Sequence, residues 1–277
     1  MTSHLRVAAI HDLSGYGRCS LSVVMPILSA MGIQCCPLPT AYLSAHTGFN
    51  GSTFHDMSDV LLPAVEHWQT LGLPFAAVYS GFLGSSGQID IVCEIIRRLR
   101  VDGCLVVVDP VMGDHGRLYR TITPEMCTRM ADLASCADLI TPNLTEAALL
   151  LGLDATRTPD DQEEVFSWVK ALSHGGRKSV VITGITTTSG LVGSVYFDAV
   201  NRKTGIYNLP FVGQEYQGTG DLFASILTGK LTHGEVLAEA VRAAAEFVRD
   251  CAALSYREGT DPKEGVRFEA ILDKLVH

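Results

Sequence analysis

The sequence predicts an α/β fold, a mostly parallel central sheet with helices on both faces. Three observations predict it. Short apolar runs of strand length recur along the chain, with segments of helical apolar spacing between them. Several of the runs stop on a polar residue, as Leu105 to Asp109 does. Hydrophobic residues make up 47% of the 277 residues and charged residues only 18%, below the usual ~25%, so a large core is available.

In chain order, Leu5 to Asp12 predicts a buried strand. Ser20 to Met31 predicts a helix, because Leu21, Val24, Ile27, Leu28 and Met31 fall at helical spacing and Gly32 ends the pattern. Asp59 to Leu71 is a second amphipathic helix, and Pro74 to Ser80 a short strand. Ile89 to Leu99 is a helix with Arg97, Arg98 and Arg100 near its C-terminal end, where positive charge suits the dipole. Leu105 to Asp109, Ala137 to Thr141 and Ser179 to Thr183 repeat the strand pattern. Leu191 to Phe197 and Gly205 to Leu209 flank a polar turn and predict an antiparallel pair. The C-terminal part predicts helices at Leu222 to Thr228, Gly234 to Tyr256 and Val266 to Leu275. No linker, repeat or low-complexity tract interrupts the series, so residues 1–277 form a single expected domain.

Composition narrows the function. The formal net charge is −9, which argues against nucleic-acid binding by clustered Lys and Arg. A small anionic ligand remains open, since backbone N–H groups bind phosphate without side-chain charge. No apolar run approaches the ~20 residues of a membrane span, and the run after Arg6 reaches His11 and Asp12 too soon for a signal peptide. The eight cysteines are scattered without a CxxC pair, which predicts free thiols in a reducing cytoplasm. No His/Cys set has zinc spacing.

The chemistry is expected where strands end. Gly218-Thr219-Gly220-Asp221 precedes a helix. Glycines let the backbone approach a ligand, and the helix start offers open N–H groups to a phosphoryl group in flight. Asp221 stands where a carboxylate can accept a proton from an incoming hydroxyl; taken alone, plain helix capping explains the run equally well. Asp109-Pro110-Val111-Met112-Gly113-Asp114 puts an acid at a strand end, and Thr141-Pro142-Asn143 with Glu146 follows another strand. Asn143 and Glu146 also have the spacing of a capping box. Asp109 and Glu146 are oxygen ligands of the kind that hold Mg²⁺, often through water. Each motif alone is ordinary capping; three in order predict a phosphoryl-transfer site.

These segments resemble those of the ribokinase-like kinases, and within them the pyridoxal (vitamin B6) kinases. The resemblance rests on Gly218 to Ala224, on Asp109 to Asp114 with Gly116, Leu118 and Tyr119, on Thr141 to Glu146, and on His46-Thr47-Gly48-Phe49. It covers nearly the whole chain and implies a three-layer ribokinase-like fold. It implies ATP-dependent phosphorylation of the 5'-hydroxymethyl group of pyridoxal, pyridoxine or pyridoxamine. Asp221 would be the general base, and Gly218, Thr219 and Gly220 would supply N–H groups to the transferring phosphate. Asp109, Tyr119, Asn143, Glu146 and Thr183 would bind ATP, with Glu146 and Asp109 organising Mg²⁺. Asp12, Leu43, Thr47 and Phe82 would surround the substrate ring, although core packing also explains Leu43 and Phe82. The resemblance further implies a homodimer and leaves a monovalent cation open.

One departure concerns the substrate. Asp12 stands where many B6 kinases carry Ser, and its carboxylate suits a protonated pyridine nitrogen. Asp12-Leu13-Ser14-Gly15 also resembles hydroxymethylpyrimidine kinases, the alternative assignment; a non-catalytic binding homologue is another. A dinucleotide-binding enzyme is disfavoured, because Gly15-Tyr16-Gly17-Arg18-Cys19-Ser20 has Ser where the last Gly of the fingerprint belongs.

Overall fold

The computed structural model describes residues 5–186 and 190–276. The first half of the chain folds as β1 (Arg6–Ser14), α1 (Leu21–Ala30), β2 (Gln34–Leu43), β3 (Phe54–Asp56), α2 (Ser58–Thr70), β4 (Ala77–Ser80), α3 (Ser86–Leu99) and β5 (Leu105–Val108). A small hairpin of β6 (Gly113–Asp114) and β7 (Arg117–Leu118) follows. Next come α4 (Pro124–Ser135), β8 (Leu139–Ile140), α5 (Leu144–Leu150) and α6 (Gln162–Leu172). The remainder is β9 (Ser179–Thr186), β10 (Leu191–Asp198), β11 (Lys203–Pro210), α7 (Thr219–Thr232) and α8 (Leu237–Arg257), with 3₁₀ turns at Pro262–Glu264 and Phe268–Leu275.

Nine strands form one sheet in the order β11-β10-β9-β8-β5-β4-β1-β2-β3. The six from β9 to β2 are parallel, so their carboxyl ends share one edge. The antiparallel pair predicted near residue 200 forms β10 and β11 and closes one side. β3 pairs antiparallel with β2 at the other.

Alternation along buried strands assigns each residue to a face. Ala8, Ile10, Val78, Val106 and Val108 pack under α2, α3, α4 and α6, against Leu61, Ile89, Val92, Met130 and Val169. Val7, Ala9, Tyr79, Val107 and Val181 pack under α1, α7 and α8, against Val24, Leu28, Ile226, Val241 and Ala244. Both faces are covered, which is why the parallel strands read as continuous apolar runs. In α8 the buried Leu237, Val241, Ala244, Phe247 and Cys251 recur at steps of three and four, whereas α7 is buried from Leu222 to Gly229.

Three differences from the sequence expectation have physical causes. The sequence expectation has no element at residues 34–43, where β2 forms; the run carries Pro37 and Pro39, which count against an interior strand. The Gln34 N–H donates to the Leu5 carbonyl, so even-numbered positions face β1 and both prolines face outward. β3 reaches only Ala41 to Leu43, so no ladder bond is lost there. The expected strand Ala137 to Thr141 shortens to Leu139–Ile140, because Pro142 and the capping of α5 follow at once. The expected helix Val266 to Leu275 is a 3₁₀ segment broken at Ile271, where φ is −132°.

Candidate active site

The carboxyl edge of the sheet gathers the singled-out residues in spatial order. Thr183 lies on β9, Asn143 just after β8, Asp109 just after β5, Phe82 after β4, Asp12 near the end of β1 and Leu43 at the end of β2. Ligands in open α/β sheets bind beyond this edge. The chain thus sets its expected nucleotide residues along β9, β8 and β5, and its expected ring-binding residues along β4, β1 and β2.

Helix α7 begins at the same edge. Gly218 is its N-cap, at φ 75°, and no side chain caps the helix, so the first-turn N–H groups stay open. A Cβ on Gly218 would collide with the Arg18 carbonyl oxygen, so both the conformation and the space require glycine. Thr219 is not spent on capping; its hydroxyl donates to the Tyr216 carbonyl at 3.1 Å. Asp221 lies in the first turn, half-buried. Its Oδ2 accepts the Ser20 N–H at 2.8 Å, across 201 residues of sequence.

Ser20 makes this bond at positive φ, 50°, which residues other than Gly, Asn and Asp rarely adopt. Burial pushes the Asp221 carboxyl up to about 7, and the nearby Asp12 charge adds to the rise; the Ser20 N–H opposes it. A carboxyl poised near neutrality suits a general base.

Four carboxyl groups line this edge. Burial raises Asp12, although hydrogen bonds from Ser20 and Ser14 oppose the rise, the Ser14 hydroxyl donating at 2.8 Å. Burial also raises Asp109, helped by the Asp221 charge and opposed by the Thr141 hydroxyl, which donates at 3.1 Å. Glu146 is raised by burial and by the Asp109 charge. Its two oxygens accept the Met112 N–H at 3.0 Å and the Asn143 N–H at 2.9 Å, while Asn143 Oδ1 accepts the Glu146 N–H. The capping box expected at Asn143 and Glu146 therefore forms, and Glu146 also anchors the loop after β5. Asn143 Nδ2 is held by the Gly113 carbonyl at 2.8 Å.

Among the described residues no side-chain cation pairs with Asp109 or Glu146, and no trio of His, Cys, Asp and Glu is arranged for direct metal ligation. Two buried carboxyls without a cationic partner fit a hydrated divalent cation.

The β6–β7 hairpin stands over these acids. Gly113 admits it, since a Cβ there would collide with the Arg117 carbonyl. The Gly116 N–H donates to Thr145 Oγ1 at 2.9 Å, and the Tyr119 N–H to the Met112 carbonyl at 3.0 Å. Tyr119 is half-buried, and burial with the surrounding carboxylates raises its phenol. Arg117 is exposed on the hairpin.

On the other side, Thr47 is half-buried, while Leu43 is 2% and Phe82 7% exposed. Phe82 belongs to the core under α2 and α3, so its packing role is real whatever it offers a ligand. His46, part of a sequence motif and a candidate to line the pocket, is a fastener. Its Nε2–H donates to the Lys263 carbonyl at 2.6 Å, and its Nδ1 accepts the Gly48 N–H at 3.1 Å, a pairing that suits the neutral ring. The Gly15 to Ser20 segment packs here too: a Cβ on Gly17 would strike the His46 ring. The turn at Pro262–Glu264 also accepts the N–H groups of Arg18, at 3.0 Å, and Gln217, at 3.1 Å. Sequence reasoning missed Ser20, this turn and the bond from Thr141 to Asp109, because each acts through a contact between distant segments.

Comparison with known proteins follows the same lines. A family model described as phosphomethylpyrimidine kinase matches residues 27–265. A structure from Bacteroides thetaiotaomicron, provisionally described as a phosphomethylpyrimidine kinase and crystallised with pyridoxal, is 38% identical, with a TM-score of 0.94 over 99% of this chain and 96% of that one. The pyridoxal kinase of Lactobacillus plantarum is 30% identical, with a TM-score of 0.89 over 99% of this chain and 97% of that one. A pyridoxal kinase of Arabidopsis thaliana is 31% identical over 234 residues, 79% of this chain and 71% of the relative. By sequence and by fold, the chain belongs to the phosphomethylpyrimidine kinase family of the ribokinase-like superfamily, together with its pyridoxal kinase relatives.

Proposed function

We propose that this protein is an ATP-dependent kinase that phosphorylates the 5'-hydroxymethyl group of pyridoxal, pyridoxine or pyridoxamine. The observation that carries the reading is the position of Asp221. It lies at the open start of α7, close enough to Asp109 on one side and Asp12 on the other for their charges to act on each other. The pyridoxal kinase relatives and the neighbour crystallised with pyridoxal support the substrate class.

In this reading Asp221 accepts the proton of the substrate hydroxyl as that oxygen attacks phosphorus. The N–H groups of Gly218, Thr219 and Gly220 face the charge that develops on the phosphoryl oxygens. Gly218 lets the backbone bend into that position. Asn143 and Thr183 hold the phosphates from the strand ends, and Tyr119 closes over the nucleotide with its hairpin. Asp109 and Glu146 would hold Mg²⁺, which would offset phosphate charge. Asp12 faces the ring, with Thr47, Leu43 and Phe82 around it. Positioning and electrostatics supply most of the rate, because phosphoryl transfer asks little covalent chemistry of the protein.

The test is ATP consumption with the three B6 vitamers and with hydroxymethylpyrimidine, repeated in Asp221→Ala. Turnover with a vitamer, lost in the variant, is expected. Higher kcat/KM for hydroxymethylpyrimidine would transfer the assignment to thiamine synthesis, and no turnover at all would favour a binding protein. Omitting Mg²⁺, then K⁺, decides which cations take part. A homodimer is part of the proposal, supported by exposed Tyr42 and Phe54 near the β3 edge; sedimentation at the mass of one 29.8 kDa chain would reject it. The eight free thiols fit a reducing, cytoplasmic setting.

A further inference from the structure

At the edge of the sheet opposite the site, near the amino ends of β8 and β9, lies a cavity of about 280 Å³. Arg100, Arg177, Lys178 and His174 line it, with Asp138 and Cys136. Its lining carries two guanidinium groups, one ammonium and one acid, in a chain whose net charge is −9. That acid is already engaged: Asp138 is paired with Arg100 and accepts the Val106 N–H at 2.8 Å.

Lys178 is only 5% exposed. Its ammonium donates to the Ala134 carbonyl, and among the described residues no carboxylate forms an ion pair with it. An ammonium has three N–H donors, so two remain for a partner. Buried charges are ordinarily paired, because leaving one bare is costly. Burial lowers the Lys178 ammonium, and burial with the neighbouring Lys178 and Arg177 charges lowers His174. With Asp138 spent on Arg100, the charges of Arg177 and Lys178 are left without a carboxylate partner in the lining.

The turn that carries these cations is tied down by hydrogen bonds. His174, Gly175 and Gly176 are consecutive left-handed residues, at φ 49°, 74° and 79°. The Ser173 carbonyl accepts the Arg177 N–H at 2.9 Å, and Arg202 Nη1 donates to the Gly176 carbonyl at 2.7 Å.

We propose that this cavity is a phosphate-binding site, in which Lys178, Arg177 and Arg100 hold a phosphate group, either the free ion or the head of a small phosphate ester. A dianion supplies the partner charge that Arg177 and Lys178 lack in the lining, and the guanidinium forks match its oxygens.

Cys136 is a reporter in the lining; its thiol lies 3.6 Å from the Cys93 thiol, whose peptide is followed as an internal control. Bound phosphate covers the Cys136 thiol and disfavours the thiolate that reacts with iodoacetamide. The full-length protein is alkylated at rising inorganic phosphate, with chloride as an ionic-strength control, and the Cys136 peptide is followed by mass spectrometry. Phosphate is expected to slow Cys136 alkylation saturably, by about threefold or more. The protection is expected to vanish in Arg177→Ser, an exposed position that leaves the core intact, and in Lys178→Met. If Lys178→Met does not fold, Arg177→Ser decides alone. Absence of saturable protection, equal protection by chloride, or full protection in Arg177→Ser overturns the site. Glycerol 3-phosphate, run in parallel, separates the sources: protection at lower concentration than inorganic phosphate identifies an ester site, and the reverse a site for the free ion.

Discussion

Asp221 concentrates the chemistry in one side chain, and its environment yields two expectations. Asp221→Asn keeps the shape and removes the base, so kcat is expected to fall by about 10²–10⁴-fold while thermal unfolding still reports a folded chain. A variant as active as the parent would place the base elsewhere. The base works ionised, and its carboxyl sits at about 7, so kcat/KM for the vitamer is expected to rise with pH through about 7 and then level off. Ser20 is the less visible half of this arrangement. Asp221 was legible as a carboxylate behind Gly-Thr-Gly at a helix start. Its partner was not, since a serine at φ 50° has no sequence mark and lies 201 positions away. Glu146 shows the converse: the capping reading and the site reading hold together, because one carboxylate accepts from both Asn143 and the loop at Met112.

Elements explain why some backbone positions tolerate only glycine. Gly218→Ala would force a Cβ into the Arg18 carbonyl at positive φ, at a cost of about 1–3 kcal/mol, and would turn the open amides of α7 away from their common focus. Lower melting temperature together with a loss of kcat larger than any change in KM for the vitamer is the expected signature. Gly113→Ala should act differently. It would pry Gly113 from Arg117 in the β6–β7 hairpin, so KM for ATP is expected to rise while Asp221 keeps its pH profile; an unchanged KM would detach the hairpin from nucleotide binding. Elements with clean periodicity, such as α1, β5 and the β10–β11 pair, were legible in the sequence. β2 was not, because its outward-facing prolines break a rule that holds for interior strands and not for an edge left open by the short β3.

Across the whole molecule, the row of buried acids couples function to stability. Carboxyls raised in the folded state contribute stability at low pH and lose it as pH rises through their folded values. For Asp221 that window runs from about 4 to about 7, and burial shifts Asp109 in the same direction. His11, fully buried and lowered to about 3, acts oppositely: its contribution is present above its ordinary value and is lost as pH falls toward about 3. Comparing variants isolates the acid term. The melting temperature of Asp109→Asn relative to the parent is expected to increase between pH 5 and pH 8, and a constant difference would mean that Asp109 stays ionised throughout. The order of chemistry along the edge was legible because strand ends carry it. The two-sided layout was not, since strand order appears nowhere in the sequence.

The turn at Pro262–Glu264 holds His46, Arg18 and Gln217 together, and so joins the substrate loop, the first glycine segment and the approach to α7. During synthesis, every other part of this site leaves the ribosome before that turn does. A nascent chain therefore carries Asp221 and its open amides for some time before the pocket around them is fastened. Catalytic competence waits on the synthesis of that turn, well after Asp221 has been made.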